Sequence, residues 1–398
     1  MFEGKNVLLC VTGSISVYKA VDLASKLVQD GATVDVIMTE SATKFVTPLS
    51  FQSITHRPVH TDMWAPVAEF NIKHVALAER ADVIAIAPAT ANTIAKIARG
   101  IADDLLSCTV LSTKASVIVA PAMDVGMYQN SATQENVKRI RNRGFKVVGP
   151  AIGHLASGLE GPGRLAEVPA IQAAIYQVLG QNGDLAGKRI VVSAGGTQEP
   201  IDPVRYIGNY SSGKMGFAIA EAARNRGAFV TLIAASTSVP PPLGVELVPV
   251  QTAMQMREAV LELSRTASAL IMAAAVADYR PQNSAPNKIK RKQKDLKLEL
   301  SKTPDIVAEV SGSVIKVGFA AESQDLLQNA TGKLKEKGLD LIVGNDITAP
   351  DSGFSVDTNK VIIIDRNGEA DQLPLMPKIE VAHKILDRVV ALLPRVAH

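Results

Sequence analysis

The sequence predicts an α/β protein made of two doubly wound domains, each with a parallel sheet covered by helices. Short apolar runs alternate with amphipathic stretches of helical spacing along nearly the whole chain. The 398 residues exceed what a single hydrophobic core usually serves. A polar, turn-rich run at 181–184 interrupts the alternation. We therefore expect a first domain at 1–183 and a second at 184–398.

Composition narrows the class of protein. Hydrophobic residues make up 47% of the chain, charged residues 20%, and the net charge is +3, so bulk charge favours neither nucleic acid nor membrane partners. The apolar run near Met1 is short and lacks a signal-cleavage pattern, and no uninterrupted apolar stretch is long enough to span a bilayer. Cys10 and Cys108 lie in apolar surroundings without metal-ligand spacing. They indicate buried thiols in a reducing, cytoplasmic compartment.

The first half places polar residues where predicted strands end. Ligands of such sheets bind beyond the carboxyl ends of the strands. The turn at 12–16 lacks the full G-x-G-x-x-G pattern, which disfavours a dinucleotide but suits one phosphate at a helix start. Helix N-caps are the alternative interpretation of the hydroxyls at these strand ends. The predicted elements are strands at 6–11, 33–38, 83–87 and 117–120, and a helix at 17–29.

The second half is organised around the connection at 193–215. Gly195 and Gly196 would let the backbone approach a ligand closely, while Thr197, Ser211 and Ser212 offer donors to an anion. An ordinary glycine-rich turn is the alternative. The predicted elements are strands at 190–193, 229–234, 269–274, 340–346 and 357–365, and helices at 217–226 and 253–266.

A basic run at 288–297 is the strongest charge cluster of the chain. A solvated hairpin face is one interpretation, and an RNA-binding patch another, although no interleaved aromatic residues support stacking on bases. The alternation of Leu296, Leu298 and Leu300 predicts a strand. Asp278 follows a predicted strand, where an acidic residue binds ribose hydroxyls or a metal, or caps a turn.

Several segments together resemble a known family. The connection at 193–215, with 274–280, 288–290, 304–307 and 318–322, closely resembles the phosphopantothenate–cysteine ligase half of the bifunctional coenzyme A biosynthesis family. The N-terminal half resembles that family's phosphopantothenoylcysteine decarboxylase, a flavodoxin-like flavoprotein. The resemblance covers nearly the whole chain in the same order, and it implies Rossmann-like folds for both domains.

For the N-terminal domain the resemblance implies FMN and a set of reacting residues. His74 would serve the chemistry. Asp124 stands where the family usually has Asn, so it must be protonated, be paired with a cation such as His74, or have a different role. Ser157 stands where a lid cysteine usually donates a proton, and we hypothesise that His154, Glu160 or a water held by Ser157 donates it instead. The implied FMN-binding residues are Gly13, Ser14, Ile15, Thr39, Ser41 and Thr90.

For the C-terminal domain the resemblance implies CTP as co-substrate, with Mg²⁺ held mainly by its phosphates and by Asp278. 4′-Phosphopantothenate would be joined to L-cysteine through an acyl-cytidylate, with Asn209 as a donor to the oxyanion, and the N-terminal domain would then form 4′-phosphopantetheine. Lys288 would meet the triphosphate. The implied CTP-binding residues are Met272, Ala273, Ala274, Asp278, Lys288, Pro304, Asp305, Ile306, Val307, Phe319, Lys333 and Lys337.

The family also implies a homo-oligomer, with trimeric contacts of the N-terminal domain and dimeric contacts of the C-terminal domain. The loop at 209–216 would complete the site of the neighbouring subunit. Neither nucleic acid nor membrane is an expected partner. Three alternatives stay open at this point: an N-terminal half reduced to a flavin-binding scaffold, a flavin or nicotinamide reductase, and a nucleic-acid binder that uses 288–297.

Overall fold

A computed structural model describes residues 2, 4–64, 72–290, 296–322, 326–346, 353 and 356–394. The chain divides into two compact units, Met1–Leu179 and Gly180–His398. Each unit contains its own sheet and its own hydrophobic cores. Part of the predicted basic run, 291–295, lies outside the described residues.

The N-terminal unit is built on a six-stranded sheet with the order β3-β2-β1-β4-β5-β6. Without the two-residue β3, the order is that of flavodoxin-like folds, and the strand order reverses between β1 and β4. All the pairings are parallel. The strands are β1 (Asn6–Val11), β2 (Thr33–Met38), β3 (Val59–His60), β4 (Val83–Ala89), β5 (Ser116–Pro121) and β6 (Lys146–Val147).

Helices cover both faces of this sheet because its strands are apolar on both faces. Val7, Leu9 and Val11 of β1 join one core, and Leu8 and Cys10 join the other. The helices are α1 (Val17–Gln29), α2 (Glu40–Thr43), α3 (Pro48–Thr55), α4 (Lys73–Arg80), α5 (Ala91–Arg99), α6 (Leu105–Ser112), α7 (Val125–Gln129), α8 (Ser131–Asn142) and α9 (Val168–Leu179). A separate antiparallel hairpin consists of β7 (Ala151–His154) and β8 (Glu160–Arg164).

The C-terminal unit has an eight-stranded sheet with the order β13-β12-β9-β14-β17-β18-β20-β21. The first six strands in this order are parallel and have the Rossmann arrangement, with the reversal between β9 and β14. The last two pair antiparallel. The strands are β9 (Arg189–Ala194), β12 (Phe229–Ala234), β13 (Glu246–Pro249), β14 (Ala269–Met272), β17 (Ile315–Glu322), β18 (Leu341–Asp346), β20 (Val361–Asp365) and β21 (Ala370–Gln372).

Short hairpins and helices complete the C-terminal unit. Two-stranded pairs join β10 (Gln198–Pro200) to β11 (Tyr206–Gly208), β15 (Tyr279–Pro281) to β16 (Leu300–Lys302), and β19 (Thr358–Asn359) to β22 (Met376–Pro377). The helices are α10 (Lys214–Asn225), α11 (Ala253–Leu263), α12 (Ile306–Glu309), α13 (Leu326–Glu336) and α14 (Lys378–Leu392). The two parallel sheets confirm the predicted α/β fold class.

Some predicted elements were wrong in extent. The helix expected at 253–266 ends at Leu263 and continues as a 3₁₀ turn, Ser264–Thr266. The strand expected at 357–365 is two strands, because Thr358–Asn359 pairs with β22 whereas Val361–Asp365 pairs with β18. Of the alternating leucines only Leu300 enters a strand, while Leu296 and Leu298 stay exposed. Cys10 is buried as expected, but Cys108 is only partly buried.

Gly216 sets the distance between α10 and β9. A Cβ atom at this position would lie 2.6 Å from Ala194 Cβ and 2.9 Å from the Ser193 carbonyl oxygen. We expect Gly216→Ala to lower the free energy of unfolding by about 1–3 kcal/mol, because the helix must move away from the strand. The matched control is Gly332→Ala in α13, where a Cβ meets nothing within 4 Å. Gly332→Ala should raise the free energy of unfolding by up to about 1 kcal/mol, because alanine loses less conformational freedom than glycine in a helix. Calorimetric melting of both variants measures the difference, and equal melting temperatures would contradict the predicted overlap.

Candidate functional site

Two turns of the N-terminal unit meet where the strand order reverses. The Thr12 hydroxyl donates to the Pro88 carbonyl oxygen over 2.7 Å, and the Thr90 amide donates to Thr12 Oγ1 over 3.0 Å. These bonds join the end of β1 to the end of β4. The turn after β1 also contacts α2, which follows β2, because a Cβ at Gly13 would lie only 2.5 Å from Ser41 Cβ. The structure therefore brings Gly13, Ser41 and Thr90 together at this edge of the sheet, where the flavin crevice is predicted.

The start of α1 in this crevice fits a single phosphate. Ser16 precedes the helix without a side-chain cap, and its hydroxyl lies 2.8 Å from that of Ser14. The neighbouring Ile15 side chain is exposed. The Ser16 amide donates to Ser14 Oγ over 3.4 Å, and the Val17 amide donates to the Ser14 carbonyl oxygen over 3.1 Å. The hydroxyl groups of Ser14 and Ser16 at the positive end of the helix are therefore the groups that suit the one phosphate of a mononucleotide such as FMN.

The N-cap interpretation is correct for two predicted FMN residues. Thr39 accepts from the Ala42 amide over 3.3 Å at the start of α2, and Thr90 accepts from the Thr93 amide over 3.4 Å at the start of α5. Their hydroxyl oxygens therefore already accept hydrogen bonds from backbone amides. Their place beside Gly13 and Ser41 remains a predicted part of the flavin crevice.

Asp124 has a structural role that the sequence left open. It precedes α7, where its Oδ1 accepts from the Gly126 amide over 3.0 Å, and its Oδ2 accepts from the Ser157 hydroxyl over 2.6 Å. The hydrogen bond from Ser157, followed by the one from Gly126, lowers the pKa of the Asp124 carboxyl. Asp124 is therefore ionised at neutral pH and bound to a hydroxyl group. Of the three alternatives that the sequence left open, these two hydrogen bonds favour the third, a different role for Asp124.

The other predicted residues of this half lie on α4 and on the hairpin. His74 is half-buried in the first turn of α4. His154 and Glu160 face each other across the β7–β8 hairpin, and both are exposed. Ser157 lies in the turn between them. His154, Glu160 and Ser157 are thus on one hairpin, and the Ser157 hydroxyl already donates a hydrogen bond to Asp124.

The C-terminal unit contains a cavity of about 710 Å³ at the carboxyl ends of β14 and β17, beside the start of α10. This is where the Rossmann arrangement places ligands. Most of the residues predicted to contact CTP line it. They are Met272, Ala273, Ala274, Asp278, Pro304, Asp305, Ile306, Val307, Phe319, Lys333 and Lys337, and Asn209 joins them.

Individual contacts show how the lining is held. Asn209 Nδ2 donates to the Val276 carbonyl oxygen over 3.1 Å. Asp305 caps α12 by accepting from the Ala308 amide, and its Oδ2 lies 3.0 Å from Lys337 Nζ. Lys337 is one residue beyond α13, but its amide still donates to the Lys333 carbonyl oxygen, so both lysines remain on one face. The loop at 209–216 lines the cavity of its own chain.

Lys288 is not among the residues that line the cavity. It is exposed, and its neighbour Ile289 is held by an ion pair: the Ile289 amide donates to Asp202 Oδ2 over 3.1 Å, and Arg205 Nη2 donates to the Ile289 carbonyl oxygen over 2.9 Å. The hydrogen bonds from Arg205, with those from backbone amides, hold the pKa of Asp202 far below its usual range. A triphosphate role for Lys288 therefore stays a prediction.

Gly195 and Gly196 of the connection pack against other backbone segments and do not line the cavity. A Cβ at Gly195 would lie 2.5 Å from the Ser236 carbonyl oxygen, and one at Gly196 would lie 2.6 Å from the Asn209 carbonyl oxygen. Thr197 is buried and accepts from the Ala277 amide over 2.9 Å. These residues position the loops around the cavity, which corrects their expected contact with a ligand. Gly213 and Gly216 line it instead.

The sequence did not single out Lys378, which is buried at the cavity wall. Its Nζ donates to the carbonyl oxygens of Gly353, over 2.9 Å, and Val356. Burial, followed by the charge of Lys214, lowers the pKa of Lys378 to about 8. Lys378 is the first residue of α14, where a positive charge opposes the helix dipole. That position was the available signal. Lys214, Lys302, Asn345 and Asn359 also line the cavity without having been predicted.

The part of the chain that the structure describes bears on metal and membrane binding. There, no group of three or more His, Cys, Asp or Glu side chains could hold a metal ion. Asp278 is exposed, and its carbonyl oxygen accepts from the Thr303 amide. No described helix combines the length and the apolar character that crossing a membrane requires.

Two protein-family models match the chain. The Flavoprotein model matches residues 1–180, and the model of the DNA/pantothenate metabolism flavoprotein C-terminal domain matches residues 185–393. The chain is 46% identical over 398 residues to the coenzyme A biosynthesis bifunctional protein CoaBC of Bacillus subtilis (strain 168), covering 98% of each chain. It is 42% identical over 394 residues to the protein of the same name from Escherichia coli (strain K12), covering 97% of each chain.

Proposed function

Since this chain belongs to the bifunctional coenzyme A biosynthesis family, we propose that its C-terminal unit is a CTP-dependent ligase and its N-terminal unit an FMN-dependent decarboxylase. The chain is an enzyme of coenzyme A biosynthesis with ligase and decarboxylase activities. Its N-terminal unit is a flavoprotein domain. The substrates of the ligase step are 4′-phosphopantothenate and L-cysteine, and the product of the second step is 4′-phosphopantetheine.

The single observation that carries the ligase proposal is the cavity beside α10. Lys214, Lys333, Lys337 and Lys378 all line it. A nucleoside triphosphate with a leaving pyrophosphate needs such positive charge, and a substrate carboxylate needs it as well. The start of α10 adds backbone amides that favour an anion.

The ligase residues would divide the reaction into two steps. The lysines neutralise the triphosphate while the carboxylate of 4′-phosphopantothenate displaces pyrophosphate from CTP and forms an acyl-cytidylate. The amine of cysteine then attacks this acyl group, and the Asn209 amide stabilises the developing oxyanion. Mg²⁺ would be held mainly by the CTP phosphates, with Asp278 at the cavity wall.

In the N-terminal unit, the α1 start with Ser14 and Ser16 would hold the phosphate of FMN, and the turns at Gly13, Ser41 and Thr90 would enclose its body. Bound FMN supplies the redox chemistry that makes the cysteinyl carboxylate a good leaving group. His74 would move a proton at the reacting thiol. His154, Glu160 and a water held by Ser157 remain the candidates for returning a proton to the product carbon, since the Ser157 hydroxyl itself donates a hydrogen bond to Asp124.

We also propose a homo-oligomer, with trimeric contacts of the N-terminal unit and dimeric contacts of the C-terminal unit. Exchange of the 209–216 loop with a neighbouring subunit is part of this proposal. Within one chain the same loop already lines its own cavity. Analytical ultracentrifugation of the full chain measures the assembly size.

Incubation of the full-length protein with 4′-phosphopantothenate, cysteine, CTP and Mg²⁺ tests both activities at once. We expect phosphopantothenoylcysteine and then 4′-phosphopantetheine in the mass spectrum. Omitting CTP or Mg²⁺ should abolish both products, and replacing CTP with ATP measures nucleotide preference. Condensed product without decarboxylation would support the flavin-scaffold alternative. Failure to form any condensed product would contradict the ligase proposal.

A further inference from the structure

Asp124 and Ser157, which both stand where the family pattern described above has another residue, are hydrogen-bonded to each other. Ser157 Oγ donates to Asp124 Oδ2 over 2.6 Å, between residues that are 33 positions apart. Asp124 lies at the start of α7, and Ser157 lies in the turn of the β7–β8 hairpin. The bond therefore joins the hairpin turn to the segment that follows β5.

We propose that Asp124 and Ser157 form one latch that holds the β7–β8 hairpin against the start of α7 during decarboxylation, and that neither residue donates the proton to the product carbon. This inference rests on the decarboxylase function. It assigns Asp124 and Ser157 as positioning residues and leaves the proton transfer to other groups.

The two carboxylate oxygens of Asp124 bind different elements, which supports this assignment. Oδ1 holds the start of α7 through the Gly126 amide, and Oδ2 holds the hairpin through Ser157, so one carboxylate fixes both elements. A charge-assisted hydrogen bond is roughly twice as strong as a neutral one. The same negative charge makes the Ser157 hydroxyl harder to deprotonate. The pair is therefore a strong tether and a poor acid.

The rest of the hairpin is already held by packing and backbone hydrogen bonds, so only the turn depends on the bond between Ser157 and Asp124. At the other end of the hairpin, the Met123 amide donates to the Gly163 carbonyl oxygen over 2.9 Å. A Cβ at Gly161 would lie 2.7 Å from Val125 Cγ2, so β8 packs tightly on the α7 segment. In the turn itself, the Leu155 amide donates to the Leu159 carbonyl oxygen and the Gly158 amide donates to the Leu155 carbonyl oxygen, both over 2.9 Å. Ser157 supplies the side-chain bond from this turn to Asp124.

The two residue types also match each other chemically. A thiol is only a weak hydrogen-bond donor, whereas a serine hydroxyl is a good one. An ionised carboxylate at position 124 can only accept, so it requires a donor opposite. Asp124 and Ser157 thus satisfy one another, and replacing either should remove the effect of both.

The test uses the full-length protein with Ser157→Ala, Asp124→Ser and the double variant. Serine at position 124 can still cap α7 but is too short to reach the hairpin. Thermolysin cleavage beside Leu155 and Leu159 reports whether the turn is held. We expect each single variant to be cleaved roughly tenfold faster, and the double variant no faster than either single one. Ser157→Thr keeps the hydroxyl and should match the unmodified protein, as should the control Ile152→Val on exposed β7.

Steady-state decarboxylation separates positioning from proton donation. For Ser157→Ala we expect KM for phosphopantothenoylcysteine to rise roughly tenfold while kcat changes by less than about threefold. A fall in kcat of about 100-fold would identify Ser157 as a proton donor and overturn the proposal. The latch would be overturned if Ser157→Ala were cleaved at the unmodified rate. It would also be overturned if the double variant were cleaved faster than either single variant by the product of their two effects. If the unmodified protein releases no carbon dioxide, the proposed decarboxylase function is wrong. The thermolysin cleavage rates still test whether Asp124 and Ser157 hold the hairpin turn.

Discussion

Asn209→Asp should slow amide formation on the order of 100-fold while the acyl-cytidylate accumulates. A carboxylate cannot donate a hydrogen bond, and it would lie against the Val276 carbonyl oxygen that the Asn209 amide now contacts. It would also repel the negative charge that develops when cysteine attacks. The lysines that we propose to neutralise CTP are unchanged, so the first step should continue. Quenched reactions analysed by mass measure the intermediate and the product separately.

The matched control is Asn283→Asp. It makes the same chemical change at an exposed position that does not line the cavity. We expect its ligase turnover to stay within about twofold of the unmodified protein, because exposed substitutions rarely perturb a distant site. Unaltered steady-state turnover of Asn209→Asp would contradict the role of Asn209 as oxyanion donor.

His74→Asn should lower decarboxylation by at least about 100-fold, since a positioned imidazole contributes about 10²–10⁴-fold to proton transfer. Asparagine retains polarity and similar size but cannot exchange a proton near neutral pH. Ligase turnover should be unaffected, because its residues belong to the other unit. The same incubation therefore measures both outcomes, with phosphopantothenoylcysteine accumulating. Flavin absorbance of the purified variant shows whether the cofactor is still bound.

His56→Asn is the control for the same substitution in the same unit. His56 is exposed and ends α3 with a φ of 53°, a left-handed conformation that asparagine tolerates. Its decarboxylation rate should be unchanged. If His74→Asn retains full decarboxylation with flavin bound, the imidazole has no part in the reaction.

Local patterns in the sequence were sufficient for much of the fold. The strands at 6–11 and 33–38 and the helix at 17–29 have their predicted bounds, because a short apolar run or helical spacing is visible within each segment. The strand expected at 269–274 ends at Met272, since Ala273 and Ala274 are apolar but line the cavity. Apolar character alone cannot distinguish a residue that pairs in a strand from one that lines a cavity.

Contacts between distant segments were the part that local patterns could not supply. The bond between Asp124 and Ser157 needs the β7–β8 hairpin to reach α7, and the position of Lys378 needs α14 to begin at the cavity wall. The segment at 288–290 also depends on such contacts, because Asp202 and Arg205 hold the backbone of Ile289. Lys288 lies outside the cavity lining, and its contact with a triphosphate stays a prediction.

The outermost strands of the two main sheets restrict how copies of this protein can associate. In the N-terminal unit, β3 and β6 are only two residues long. In the C-terminal unit, β13 carries Glu246 and ends at Pro249, and β21 contains the exposed Asp371. Short, charged or proline-bearing edges disfavour the addition of a foreign strand, which is the usual route to aggregation. Subunits should therefore dock through helices and loops, and a high concentration of folded protein should not polymerise through sheet extension.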